Sequence, residues 1–104
     1  MKVLIDFEGL AIRLTDERFA HILEHPEMAG MEQAIEETLA RPERVVQSAS
    51  DAQVHLYYRF YAGTLVGDKH LCVIVKVSAA DAFVITAYLT DTIKRGTTLW
   101  PKNK

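Results

Sequence analysis

The chain has 104 residues, of which 49% are hydrophobic and 25% charged, and its formal net charge is −2 at pH 7. This mixture is typical of one folded domain and excludes a disordered chain, while the longest apolar run, residues 71–75, is far shorter than the roughly 20 residues that span a bilayer. Cys72 is the only cysteine, which excludes an internal disulfide and a thiolate metal cluster.

The first half of the chain predicts a β-hairpin followed by two helices. Residues 3–7 and 10–14 are short β-favouring runs, and Gly9 between them suits a tight turn. A helix is predicted from Asp16 to about residue 24, because Pro26 disfavours helical geometry at the residue before it. A second helix is predicted over residues 28–40, with its apolar residues on one stripe and its glutamates, Glu37 among them, facing solvent.

The second half changes to the period of strands. Residues 44–48, 54–61, 70–78 and 82–89 are rich in β-branched and aromatic residues, and short segments with turn chemistry separate them. Short connections between successive strands favour an antiparallel meander. Residues 91–104 are predicted to form a tail with a turn closed by Gly96. The predicted fold class is therefore α+β: an N-terminal hairpin and two helices, followed by a four-stranded antiparallel sheet.

Alternation along the strands assigns their side chains to two faces. One face is almost wholly apolar and is expected to carry the helices: Val54, Leu56, Tyr58, Phe60, Leu71, Val73, Val75, Val77, Phe83, Ile85, Ala87 and Leu89. The other has no carboxylate and combines cations, tyrosines, histidines and hydroxyls: His55, Tyr57, Arg59, Tyr61, His70, Cys72, Ile74, Lys76, Ser78, Val84, Thr86, Tyr88 and Thr90.

The polar face has a chemistry that suits single-stranded RNA. Arg59 and Lys76 can hold phosphate oxygens, and tyrosine rings such as Tyr57 and Tyr88 can stack on unpaired bases. Residues 53–104 carry 7 Lys/Arg against 3 Asp/Glu, whereas residues 1–52 carry 5 against 11, so an anionic partner is expected to meet the second half. The alternative is a non-catalytic module that uses the same face for a protein partner or a homodimer.

Residues 21–25 match H-x-x-E-H, a pattern of zinc proteases. Pro26 is expected to end the helix at His25, so His21 and His25 need not align on one metal. Cys72 is expected to be a buried small hydrophobe and not a nucleophile. We therefore expect no bound metal and no cofactor.

The chain resembles the phage-associated barnase–EndoU–colicin–RelE-like nuclease domains over roughly residues 10–101. The resemblance is carried by the order and spacing of residues 14–28 (LTDERFAHILEHPEM), 35–46 (IEETLARPERVV), 57–59 (YYR), 75–77 (VKV), 85–88 (ITAY) and 93–96 (IKRG), with Leu99 and Trp100.

This resemblance implies a metal-independent endoribonuclease, often found in toxins or phage-conflict systems. It implies that His21, Arg59, Lys76 and Thr86 are catalytic and that Tyr57, Tyr88 and His55 bind substrate. A ribose 2′-OH would lose its proton to a base such as His21 and attack its own phosphate. The expected partners are RNA and, for a toxin, an acidic inhibitor protein. One domain over residues 1–104, located in the cytoplasm without membrane contact, is expected.

Overall fold

Seven strands form one mixed sheet in the computed structural model, which describes residues 1–102. In chain order the elements are β1 (Lys2–Ile5), β2 (Ala11–Leu14), α1 (Asp16–Ile22), a 3₁₀ turn (Pro26–Met28), α2 (Glu32–Ala40), β3 (Arg44–Ser48), β4 (Val54–Thr64), β5 (Gly67–Val77), β6 (Ala82–Thr90) and β7 (Gly96–Trp100). The order of the strands across the sheet is β1-β2-β6-β5-β4-β3-β7. The helices and the 3₁₀ turn pack on one side, which we name the helix face, and the opposite side is the open face.

The predicted four-stranded antiparallel meander behind a separate hairpin and two helices is wrong. β2 pairs with β6 in parallel through Arg13 and Phe83, so the N-terminal hairpin belongs to the same sheet. At the other edge, residues 96–100 form β7 against β3 instead of a tail. Both pairings join segments that are far apart in the chain, and strands this short have too little periodicity to show which partner they take. The fold is therefore mostly β.

The helices are shorter than their sequence predicts. α1 begins after Thr15, whose Oγ1 accepts a hydrogen bond from the Arg18 N–H at 3.1 Å, and it ends at Ile22. Gly30 has a φ of +77°, a conformation that stops the helix predicted to start at residue 28, so α2 begins only at Glu32. No helix within residues 1–102 has the length and apolar character required to cross a bilayer.

The core lies between the helix face and the helices. Its fully buried side chains come from both layers: Ile22, Met28, Ile35 and Leu39 on the helical side, and Ile12, Tyr57, Leu71, Val73, Val75 and Val84 on the sheet. Burying side chains of this kind contributes roughly 1.5–3 kcal/mol each relative to leaving them exposed. The two short helices are therefore held mainly by this packing, since helices of their length are marginal alone.

β4 has the opposite alternation from the predicted one. Its register pairs Tyr57 and Arg59 with core residues of β5, which directs both side chains to the helix face. Tyr58 and Phe60, predicted to carry the helices, lie on the open face. A register shift between β5 and β6 likewise moves Phe83 to the open face. The predicted assignment of β4 side chains to the two faces fails because large, largely apolar side chains occur at both its odd-numbered and its even-numbered positions.

Residues 91–95 cross the open face and connect β6 to β7. Ile93 packs against a second apolar cluster that includes Tyr58 and Cys72, and the Lys94 N–H donates to Tyr58 Oη at 3.0 Å. The prediction that Cys72 is buried is confirmed, and burial raises the pKa of its thiol to about 11. The middle of β4 is consequently buried on both faces.

The sheet curls until its two edges approach each other. Phe7 follows the edge strand β1 and Trp100 ends the opposite edge strand β7, yet their ring centroids are 5.2 Å apart. The Phe7 N–H also donates to the Leu39 carbonyl in α2 at 2.9 Å. α2 therefore lies inside the curl, where it contacts β1, β4 and β5.

Candidate functional site

Four residues predicted to share the polar sheet face, namely Arg59, Lys76, Thr86 and Tyr88, are divided between the two faces of the sheet. Lys76, Thr86 and Tyr88 lie on the open face, whereas Arg59 lies on the helix face opposite Leu71. The prediction of one shared face is therefore wrong for Arg59. The physical reason is the register of β4, because a shift of one residue moves every side chain to the other face.

The open-face residues are engaged with their neighbours. Lys76 Nζ lies 2.7 Å from Asp51 Oδ2, and this hydrogen bond is the main reason that the pKa of Asp51 is lowered. Thr86 is opposite Ile74, and Tyr88 is opposite Cys72. Burial and the neighbouring thiol raise the pKa of Tyr88, so its hydroxyl is neutral at physiological pH.

The predicted base-binding residues Tyr57 and His55 lie on the helix face. The Tyr57 side chain is 1% exposed and its hydroxyl donates to Asp6 Oδ2 at 2.7 Å, so its ring has no free surface on which a base could stack. The His55 ring is half-buried, and burial is the main cause of the lowering of its pKa. Both residues contribute to the region where the β1–β2 turn meets the sheet.

His21 is separated from the predicted strand cations. It lies on α1, which packs on β6, and its Nδ1 is 3.9 Å from Glu24 Oε1. His25 follows the helix with extended backbone geometry, and its Nδ1 is 3.5 Å from Glu27 Oε1. The H-x-x-E-H residues are therefore not on one helix. Among residues 1–102, no group of three or more His, Cys, Asp or Glu side chains is placed to hold a metal ion.

A different set of residues converges where α2 faces the far end of β4. We name it the Glu37 cluster: Glu37 and Arg41 from α2 and its C-terminal cap, and Arg59 and Tyr61 from β4. Tyr61 Oη donates to Glu37 Oε1 at 2.7 Å, and Arg41 Nη2 donates to Glu37 Oε2 at 2.9 Å. Arg59 Nε lies 3.5 Å from Glu37 Oε1, and its Nη1 donates to the Arg41 carbonyl at 2.7 Å.

The electrostatics of the Glu37 cluster fix the protonation of two of its members. The pKa of Glu37 is lowered, first by the hydrogen bond from Tyr61 and then by that from Arg41. The pKa of Tyr61 is raised to about 12, chiefly by burial. At neutral pH the cluster therefore consists of a carboxylate, a neutral phenol and two guanidinium groups.

An open cleft of about 610 Å³ lies beside this cluster. Its lining residues are Gly30, Gln33, Ala34, Glu36, Glu37, Ala40, Arg41 and Tyr61. Arg59 lies against this lining through its contacts with Glu37 and the Arg41 backbone. Guanidinium groups bind phosphate oxygens in the same bidentate manner as carboxylate oxygens, so an anionic group that enters the cleft can compete with Glu37 for both arginines.

Glu37 and Arg41 are not among the site residues predicted from the sequence. Glu37 is predicted to face solvent, and this is wrong because the residue faces β4 at the edge of the cleft. The spacing of Glu37 and Arg41, four residues apart near a predicted helix end, could have identified them as a pair. Their association with Arg59 and Tyr61 depends on the tertiary packing of α2 on β4, which no local pattern encodes.

A scan against protein-family models finds no match to this chain, and neither do searches of curated proteins and of solved structures. The nuclease resemblance therefore stays a prediction.

Proposed function

We propose that the protein is a small, metal-independent endoribonuclease whose reaction centre is the Glu37 cluster. The observation that carries this proposal is the convergence of two guanidinium groups and a phenol on one carboxylate at the edge of an open cleft. Phosphodiester cleavage without a metal requires these elements: cations for the developing negative charge, and a base for the 2′-OH. RNA is the proposed substrate, and the reaction as written needs no cofactor.

Phosphate binding is the first step that the cluster supports. Arg59 is oriented by its hydrogen bond to the Arg41 carbonyl, so its guanidinium needs little rearrangement when an anion arrives. Arg41 is more exposed and can rotate from Glu37 toward a non-bridging phosphate oxygen. The negative charge of the bound phosphate and the partial withdrawal of both arginines then raise the proton affinity of Glu37.

Proton abstraction is the second step. Glu37 accepts the proton of the ribose 2′-OH, the 2′-oxygen forms a bond to phosphorus, and the bond from phosphorus to the 5′-oxygen breaks. The leaving 5′-oxygen takes a proton from water in the open cleft, because Tyr61 is 2.7 Å from the base and therefore on the wrong side for in-line displacement. The products are a 2′,3′-cyclic phosphate and a 5′-hydroxyl. Tyr61 serves to hold Glu37 Oε1 in place.

The test is cleavage of RNA by purified protein in the presence of EDTA, with detection of 2′,3′-cyclic phosphate ends. Glu37→Gln is expected to lower the rate by about 100-fold or more, as loss of a general base does. Lys76→Ala is the matched control, because Lys76 is a cation on the open face. His21→Ala is the second control, since α1 carries His21 on β6, away from the cluster. Both controls are expected to stay within about twofold of the parent.

Two results would contradict the proposal. RNA that stays intact between about pH 5 and 8 would leave the protein as a non-catalytic module. Cleavage that disappears in Lys76→Ala or His21→Ala but persists in Glu37→Gln would move the reaction centre away from the Glu37 cluster. If the chain acts as a toxin, the proposal also expects an inhibitor protein that carries acidic residues to meet Arg41 and Arg59.

A further inference from the structure

An exposed aromatic pair lies on the open face near the end of the sheet. Phe60 on β4 and His70 on β5 are cross-strand partners, and their rings meet edge to face with centroids 5.4 Å apart. The Phe60 side chain is 45% exposed although its position is fixed by a regular strand. One side of an oriented, flat ring is therefore available to a ligand.

Two cations flank this pair. Arg44 is paired with Tyr58 across β3 and β4, so it lies on the open face two strand positions from Phe60. The backbone of Lys94 lies beside Tyr58 on the same face, because its N–H donates to Tyr58 Oη at 3.0 Å. Among residues 1–102, neither Arg44 nor Lys94 forms a salt bridge. The surface consisting of Arg44, Phe60, His70 and Lys94 is named the Phe60 platform.

Three carboxylates lie near the platform, and each has a partner. Glu43 Oε1 accepts the Phe60 N–H at 2.8 Å, Asp68 Oδ1 accepts the Gly63 N–H at 2.9 Å, and Asp91 is paired with Lys69 at 2.8 Å. The platform therefore combines an exposed aromatic ring with two cations that form no ion pair among residues 1–102. This combination is typical of surfaces that bind single-stranded nucleic acid, in which bases stack on rings and cations contact the backbone.

The platform and the Glu37 cluster lie on opposite faces of the same end of β4. Phe60 stands between Arg59 and Tyr61 in β4, so alternation directs it to the open face while its two neighbours face the cleft. Residues 41–44 run beside this part of β4, with Arg41 at the cleft and Arg44 on the open face. An RNA strand that leaves the cleft has to pass only residues 41–44 before it reaches Phe60.

We infer that the Phe60 platform binds single-stranded RNA by stacking one unpaired base on Phe60, while Arg44 and Lys94 contact the phosphates that flank it. The inference rests on the proposed function, because it assigns a substrate-binding site to the same reaction. It restricts the substrate to unpaired RNA, since a base held in a duplex cannot present its face to the ring.

The test uses a fluorescein-labelled 2′-O-methyl oligoribonucleotide of about eight residues, which cannot be cleaved because its nucleophile is blocked. Its affinity is measured by fluorescence anisotropy at several salt concentrations. Phe60→Ala is expected to weaken binding by at least about fivefold, the low end of the range for base–aromatic stacking. Phe60→Tyr is expected to retain it. Arg44→Gln is expected to reduce the slope of log K against log salt by about 1.

Leu65→Ala is the matched control, because Leu65 is 73% exposed at the tip of the same β4–β5 hairpin and is expected to leave the affinity unchanged. Parent-like affinity in Phe60→Ala would overturn the inference, and so would absence of binding by the parent. Cleavage assays on the same proteins separate the two proposals. If RNA is cleaved equally well by the parent and by Phe60→Ala, the proposed platform is wrong and the proposed nuclease activity stands. If binding depends on Phe60 but no RNA is cleaved, the proposed nuclease activity is wrong and the platform stands.

Discussion

Replacement of Tyr57 by Phe removes one oxygen atom from the centre of the core. The Tyr57 hydroxyl donates to Asp6 Oδ2 at 2.7 Å, and this contact joins β4 to the turn between β1 and β2. Asp6 Oδ1 accepts the N–H groups of Glu8 and Leu10, each at 2.9 Å. In Tyr57→Phe these two bonds persist while the buried Oδ2 loses its partner.

The magnitude follows from the burial of both groups. Tyr57 is 1% exposed and Asp6 is 6% exposed, so water cannot replace the missing donor without entry into the core. Hydrogen bonds to charged groups contribute about 1.5–3 kcal/mol, and we expect Tyr57→Phe to lower the free energy of unfolding by about 2 kcal/mol. For a chain of this size that corresponds to a fall in Tm of roughly 10 °C.

Urea unfolding at pH 7 measures this loss, and Tyr58→Phe is the matched control. Tyr58 is also 1% exposed, but its hydroxyl oxygen accepts a hydrogen bond from the neutral backbone N–H of Lys94. Tyr58→Phe is therefore expected to lower the free energy of unfolding by only about 1 kcal/mol. A cost below about 0.5 kcal/mol for Tyr57→Phe would show that the bond to Asp6 contributes little to stability. A cost equal to that of Tyr58→Phe would show that the charge of Asp6 adds nothing.

Alkaline unfolding gives a second measurement of the same contact. Burial and the bond to Asp6 raise the pKa of Tyr57 above its ordinary value of 10.0. Below pH 10 the phenol is neutral in both states, and the stabilisation is complete. Above pH 10 the unfolded chain releases the proton and the folded chain keeps it, so the free energy of unfolding falls as pH rises. This alkaline loss is expected to be smaller in Tyr57→Phe than in the parent.

The Glu37 cluster and the packing of β7 each give a further prediction. Tyr61→Phe removes the hydrogen bond that is the largest cause of the low pKa of Glu37. The acid limb of the pH profile of kcat/KM is therefore expected to move to higher pH. An acid limb at the same pH as in the parent would contradict the role of Glu37 as the base. Gly96→Ala adds a Cβ that clashes with the Gln47 backbone in β3 and lies 2.7 Å from Val46 Cγ1. The free energy of unfolding, measured in urea, is therefore expected to fall by about 1–3 kcal/mol. The exposed neighbour Thr97→Ala serves as control, and equal stability of the two variants would contradict this packing.

The strands of the second half could be located from composition, and the two faces of β5 could be assigned, but those of β4 could not. The predicted segment 54–61 lies within β4, and 82–89 lies within β6. Alternation identifies a core face only where the other face is solvated. In β4 the open face is covered by residues 91–95, so that Tyr57 and Tyr58, adjacent in sequence, are both 1% exposed. In a strand that is buried on both faces, apolar residues do not alternate with polar ones, so the sequence does not show which side chains face the helices. In β4 only the pairing with β5 shows this.

The edges of the sheet could not be predicted for a different reason. β2 joins β6 through a single residue pair, Arg13 with Phe83, and β7 follows a crossover of five residues over the open face. These contacts join residues that are distant in the chain, so no local pattern indicates them. Phe7 against Trp100 is an example, since 93 positions separate two rings whose centroids are 5.2 Å apart.

The register of β4 also explains how one strand can serve two proposed sites. Had Arg59 shared a face with Lys76, as its spacing predicts, Glu37 would have no strand cation opposite it and Phe60 would be buried beneath α2. In the observed register Arg59 and Tyr61 meet α2 at the cleft, and Phe60 between them is left free on the open face. β3 ends its pairing with β4 at Tyr58, so only residues 41–43 lie beside these three positions. At the end of β4 the two proposed sites are therefore separated only by the backbone of β4 and the neighbouring residues 41–43.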